Sequence, residues 1–142
     1  MAKSESAPAS PAKPTDRYRL AKLTGCHGDL QERIRRVLAA MDALGWRMIV
    51  TDGFRSAHEQ QTLYAQGRTL PGKIVTNCDG VQKPSNHQSG KACDCTFLDP
   101  DGRPTWDARM PWKTYGACLE AVGLKWGGNW QGLHDLPHAE LM

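Results

Sequence analysis

The sequence predicts an α+β fold, a small antiparallel sheet with flanking helices. Two observations carry this. Helical periodicity marks three segments, and short β-rich runs lie between them. The two kinds of segment follow one another without the regular βαβ rhythm of a parallel sheet. A length of 142 residues supports one domain with one modest core.

Residues 1–16 are rich in Ala, Ser and Pro and carry no periodic apolar face, so they are expected to form a flexible tail before a domain over 17–142. Asp29 to Leu44 is the strongest helix: Leu30, Ile34, Val37, Leu38, Met41 and Leu44 share a face, and Gly45 supplies a left-handed stop. Trp46 to Thr51 reads as a strand and Asp52-Gly53 as a turn. Ser56 and Glu59 have capping-box spacing, so a second helix should span Ala57 to Gln66 and end at Gly67.

Lys73 to Thr76 reads as a brief strand and Cys78 to His87 as loop. Lys91 to Leu98 reads as a strand with Ala92, Asp94 and Thr96 on one face and Cys93, Cys95 and Phe97 on the other. Asp99-Pro100-Asp101-Gly102 is a turn. Pro111 opens a third helix that buries Trp112, Tyr115, Leu119 and Val122 and stops at Gly123. Leu124 to Trp126 reads as a strand, followed by a flexible Gly127-Gly128-Asn129.

Composition excludes several function classes. A net charge of +3 is too small to argue for a nucleic-acid partner. The longest apolar run is far too short to cross a bilayer, so no membrane insertion is expected. No apolar stretch lies between Lys3 and Lys13, so the protein is expected in the cytoplasm of the cell that makes it. Five cysteines without Cys-x-x-Cys spacing argue against a zinc ribbon. Cys93 and Cys95 read as small core residues, and pairing among Cys26, Cys78 and Cys118 stays open.

The chemistry lies in two short stretches. His87 precedes Asp94 by seven residues, and Asp135 precedes His138 by three, the spacing of one helical turn. Two imidazoles and a carboxylate can hold one zinc ion and leave its fourth position open. A spare carboxylate beside that position can act as a base. His87, Asp94 and His138 are the candidate ligands and Asp135 the candidate base. His134 is a rival ligand beside Asp135, and His27 and His58 read as surface residues. Trp126 and Trp130 suit either a cleft wall or the core, Tyr64 reads as core, and Glu140 either orients His138 or is solvated.

Four ordered motifs add a resemblance. They are Thr51-Asp52-Gly53-Phe54-Arg55-Ser56 with Gln60, the run Leu63 to Thr76 that contains Leu63-Tyr64 and Gly67-Arg68-Thr69-Leu70-Pro71-Gly72, Ser85 to Asp94, and Asp135 to Glu140. Together they resemble the zinc peptidases that cut peptidoglycan stem peptides. That family includes D-alanyl-D-alanine carboxypeptidases, vancomycin-resistance D,D-peptidases and the L-alanyl-D-glutamate endopeptidases of phage endolysins and bacteria. The resemblance implies the α+β fold shared with the hedgehog signalling domain, with zinc held by His87, Asp94 and His138 and Asp135 as the catalytic carboxylate. It implies that Arg55 steadies the substrate carbonyl and that Ser85 and Gln60 line the cleft. Ala139 departs from it, because an aromatic residue often follows the last ligand.

The implied function is cleavage of the L-Ala–D-Glu bond of bacterial peptidoglycan by a monomer released to the wall, in the manner of an endolysin. A D,D-carboxypeptidase of the same fold and a zinc-stabilised wall-binding module are the alternatives.

Overall fold

A computed structural model describes residues 16–142. The tail expected over 1–16 lies outside the described residues except for Asp16. Its carboxylate accepts hydrogen bonds from the Leu20 and Ala21 backbone N–H groups (2.7 and 2.8 Å) and starts a 3-10 turn over Leu20–Leu23.

Three α-helices and five strands follow. Helix α1 spans Gly28–Ala43 and buries Leu30, Ile34, Val37, Leu38 and Met41 of the predicted stripe, whereas Leu44 lies past its last residue and is exposed. Gly45 ends it at φ 92°, a conformation that favours glycine. Strand β1 covers Met48–Asp52. Helix α2, Ala57–Ala65, has its capping box in place: the Ser56 hydroxyl accepts from Glu59 N–H, and the Glu59 carboxylate accepts from Ser56 N–H. Strand β2 covers Ala92–Leu98, β3 Pro104–Thr105, and helix α3 Trp112–Ala121. Strand β4 covers Leu124–Trp126 and β5 His138–Leu141. No helix is long and apolar enough to cross a membrane among the described residues.

The sheet is antiparallel, in the order β1-β2-β5-β4, with β3 also paired to β2. The predicted fold class therefore holds. Two further expectations fail. Lys73–Thr76 forms no strand, because no neighbour pairs with it among the described residues. Residues 135–138 form a tight turn instead of a helical one. His138 N–H donates to Asp135 O (3.1 Å), and Pro137, which cannot continue a helical ladder, sits inside the turn.

Alternation along β2 divides core from site. Cys93, Cys95 and Phe97 point into a core built with α1, α3, Met48, Val50, Leu124, Trp126 and Ala139. Phe97 meets Trp112 edge-on at 4.9 Å between ring centroids. Asp94 falls on the opposite face. All five cysteines are free, and Cys93 and Cys95 are buried. Ala139 is fully buried, and its ladder partner Trp126 supplies the aromatic ring to this part of the core.

Trp126 lies so close to α3 that a Cβ on Gly116 would run into its indole. Helix propensity alone would make Gly116→Ala a gain of about 1 kcal/mol. Overpacking costs about 1–3 kcal/mol, so the clash outweighs the gain. Gly116→Ala should lower the urea midpoint, whereas Gly28→Ala, with open space around its Cβ, should leave it unchanged or raise it.

Candidate metal centre

Sheet register brings the first two groups together. Asp94 on β2 pairs with His138 on β5, so both side chains emerge on one face as cross-strand neighbours. On the other side of Asp94, a bulge in β1 between Val50 and Asp52 sets Asp52 opposite it. His87 arrives from the loop before β2. That loop is fixed by hydrogen bonds from Arg55 N–H to His87 O (3.0 Å), Lys91 N–H to Asn86 O (2.9 Å) and His87 N–H to the Ser85 hydroxyl (3.2 Å). Gly90 makes the bend at φ 73°, where a Cβ would press on Gly25 O.

His87, Asp94 and His138 form one cluster whose potential ligand atoms all lie within 4.8 Å of one another. His87 Nε2 is 3.3 Å from His138 Nδ1. Asp94 Oδ2 is 3.7 Å from His87 Nε2, and Asp94 Oδ1 is 3.5 Å from His138 Nδ1. Tetrahedral zinc with bonds of about 2.0–2.1 Å to nitrogen separates its ligands by about 3.3–3.4 Å. The spacings of 3.3–3.7 Å in the cluster lie close to those dimensions.

Two more observations fit a cation. The outer nitrogen of each imidazole is a committed donor: His87 Nδ1–H donates to Gly53 O (2.8 Å), and His138 Nε2–H donates to Glu140 Oε1 (2.7 Å). These bonds select the tautomers that turn His87 Nε2 and His138 Nδ1 toward each other as acceptors. Asp94 Oδ1 is buried without a hydrogen-bond donor among the described residues, a costly state for a carboxylate oxygen unless a cation compensates it. The donor set of two imidazoles and one carboxylate suits zinc.

The protonation pattern shows the same appetite for positive charge. Burial pulls His138 down, but the adjacent Asp94 carboxylate, the hydrogen bond to Glu140 and the charge of Asp135 outweigh it and push its pKa up to about 9 in the metal-free chain. Burial also opposes ionisation of Asp94, yet His138, His87 and Arg55 keep it below its ordinary value. His87 is lowered by burial, only partly offset by Asp94. Asp135 is raised to about 6, first by burial and then by the charge of Asp94.

Asp135 Oδ2 stands 3.8 Å from His138 Nδ1, beside the cluster and outside it. Its turn is gripped from behind by the core. Tyr115 Oη donates to Pro137 O (2.8 Å), Trp126 Nε1 to Leu136 O (2.7 Å) and Cys95 N–H to Pro137 O (3.1 Å). Gly127 closes the other side: Asp135 N–H donates to its carbonyl (3.1 Å), and a Cβ there would collide with Asp135 O.

Arg55 is buried and points at the centre, with Nη2 3.7 Å from Asp94 Oδ2. Nη2 also donates to Asp52 Oδ2 (2.5 Å) and Nη1 to Gln60 Oε1 (2.6 Å). Gln60 is the misplaced residue. It is fully buried behind Arg55 and does not line the cleft, because its amide is consumed by Arg55, Thr76 Oγ1 (3.2 Å) and Cys78 O (2.8 Å). Ser85 does line the cleft.

His134 is exposed and outside the cluster, as are His27 and His58. The two tryptophans divide: Trp126 is core, and Trp130 lies over His138 at 4.5 Å and lines the cleft. Tyr64 is only half-buried and carries Arg68 on its ring. From sequence, Asp52 and Gly53 read only as a turn and Gly127 as a flexible residue. Only Asp52, three before Arg55, carried a signal, an acid–base pair at close spacing.

The whole cleft encloses about 520 Å³, with the cluster and Asp135 among its lining. That is ample room for a peptide segment.

A family profile described as D-alanyl-D-alanine carboxypeptidase, of the peptidase M15 group, matches residues 79–141. Over 124 residues the chain is 33% identical to the peptidoglycan L-alanyl-D-glutamate endopeptidase CwlK of Bacillus subtilis, covering 82% of this chain and 73% of CwlK. The Serratia marcescens L-Ala D-Glu endopeptidase ChiX shares the fold, with a TM-score of 0.67 at 24% identity over 91% of this chain and 89% of ChiX. So does the vancomycin-resistance D,D-pentapeptidase VanY, solved in complex with Zn(II), with a TM-score of 0.60 at 15% identity over 82% of this chain and 72% of VanY. With the likeness to CwlK extending over most of both sequences, the chain belongs to the peptidase M15 family.

Proposed function

We propose that this chain is a zinc peptidase that hydrolyses peptidoglycan stem peptides at the L-Ala–D-Glu bond. The observation that carries the zinc chemistry is the His87–Asp94–His138 cluster with Asp135 at its edge. The choice of bond rests on the likeness to CwlK, an L-alanyl-D-glutamate endopeptidase by name. Every residue of the site comes from one chain, so a monomer suffices.

His87 Nε2, His138 Nδ1 and the Asp94 carboxylate would hold the ion. When bound, zinc supplies a Lewis acid for the peptide carbonyl and makes water acidic near neutral pH. Asp135 is placed to take the proton from the attacking water and return it to the leaving amine. Its half-buried carboxylate stands beside the cluster, within reach of both transfers. Arg55 adds positive charge beside Asp94 where negative charge develops on the carbonyl oxygen. Asp52 and Gln60 hold its guanidinium in that place. Ser85 lines the cleft and fixes the His87 loop through its hydroxyl.

The profile described as D-alanyl-D-alanine carboxypeptidase favours a second reading, removal of terminal D-Ala by the same site. Digestion of purified muropeptides followed by mass spectrometry separates the two. A new L-Ala carboxyl terminus on the glycan side is expected, and release of free D-Ala alone would replace this reading with the second.

Asp135→Asn should keep one zinc per chain and lose activity by about 10²–10⁴-fold, the usual worth of a general base. Wild-type turnover in that variant would remove Asp135 from the chemistry. Glu140→Ala should weaken zinc binding by about 10–100-fold, because the acceptor that fixes the His138 tautomer is lost. Competition against a chelator of known affinity measures it.

A further inference from the structure

One wall of the cleft is built unlike the rest. Residues 71–79 make no backbone–backbone hydrogen bond among the described residues. Side chains from α2 and the turn after it hold this segment instead. Gln66 Nε2 donates to Lys73 O (2.9 Å). Arg68 stacks on the Tyr64 ring at 3.9 Å, and its Nη1 donates to Tyr64 O (2.7 Å) and Thr76 O (3.1 Å). Arg68 Nη2 donates to Asn77 Oδ1 (3.2 Å), and Gln60 Nε2 reaches Cys78 O.

Within this wall Lys73–Thr76 carries neither turn nor bend. Its residues favour a strand, yet it has no partner strand among the described residues. Lys73 O and Thr76 O are held by Gln66 and Arg68, whereas the Val75 N–H and C=O between them have no partner among the described residues. Val75 lines the cleft together with Asp94, Asp135 and His138. Ile74 and Val75 are 46% and 42% exposed, large apolar side chains left uncovered beside a polar centre.

We infer that Lys73–Thr76 is one half of a two-stranded pairing whose other half is the substrate. The peptide lies extended along this wall and exchanges N–H···O bonds with Val75, a case of strand addition. Arg68 is a positioning residue that holds the edge in place. The inference rests on the peptidase reading and adds the surface that reads the peptide backbone. A peptide fits this wall because the unpaired Val75 N–H and C=O can exchange hydrogen bonds with an amide backbone.

The test is steady-state kinetics of zinc-loaded enzyme on a stem peptide. Val75→Pro removes the N–H while suiting extended backbone, and Val75→Ala keeps it. Val75→Pro should raise KM about tenfold with kcat changed by less than about threefold, and Val75→Ala, which keeps the N–H, should raise KM clearly less than Val75→Pro does. Arg68→Ala should raise KM in the same direction. A Val75→Pro enzyme with bound zinc, wild-type melting and wild-type KM would overturn the inference.

If Val75→Pro does not fold, wild-type enzyme with peptides carrying one ester in place of a non-scissile amide decides. One ester position should raise KM about tenfold through loss of its bond to Val75 C=O, and parent KM at every position would overturn the inference. A wild-type enzyme that cleaves no stem peptide would instead defeat the peptidase reading itself.

Discussion

Asp94 and His138 face each other across the β2–β5 ladder, and the function of the chain depends on that register. A slip of β2 by one residue would turn Asp94 into the core, bring Cys93 or Cys95 out in its place and leave His138 without its neighbour. The core guards against it. Cys93, Cys95 and Phe97 are fully buried beneath α1 and α3, so the slip would expose them and bury a carboxylate. Packing on one face of β2 thus fixes chemistry on the other.

The supporting shell extends this economy. Tyr115 and Trp126 contribute rings to the core and spend their polar ends on Pro137 and Leu136 carbonyls, locking the turn that carries Asp135. Glu140, two residues after His138 on β5, orients that ring and also accepts from Asn86 Nδ2 (3.0 Å). It thereby ties β5 to the loop that delivers His87. Asp52, Arg55 and Gln60 form a chain of polar contacts from the Asp94 neighbourhood to Cys78 on the cleft wall. Ligands, base and wall are connected through groups that cannot shift independently.

Much of this was legible in the sequence where the determinants are local. The stripe on α1, the Ser56–Glu59 box of α2 and the alternation along β2 each specify an element from a few adjacent residues. Strand β5 was not legible. His138-Ala139-Glu140-Leu141 has weak strand character and becomes a strand by pairing with both β2 and β4, partners distant in sequence or across a turn. Lys73–Thr76 failed in the opposite sense, with strand character but no neighbour. The metal ligands could be named from motif resemblance, but their convergence depends on register and on the His87 loop. Gln60 was placed at the cleft because burial behind Arg55 cannot be read from spacing. Gly127 left no signal, since its need arises only where Asp135 crosses it.

The most direct measurement is the anomalous difference map of a zinc-loaded crystal collected at the zinc absorption edge. The expected result is one strong peak about 2.0–2.2 Å from His87 Nε2, His138 Nδ1 and an Asp94 carboxylate oxygen, with Asp135 outside bonding distance. A peak bound through His134, or no peak among these three side chains, would contradict the metal centre on which the proposed chemistry stands.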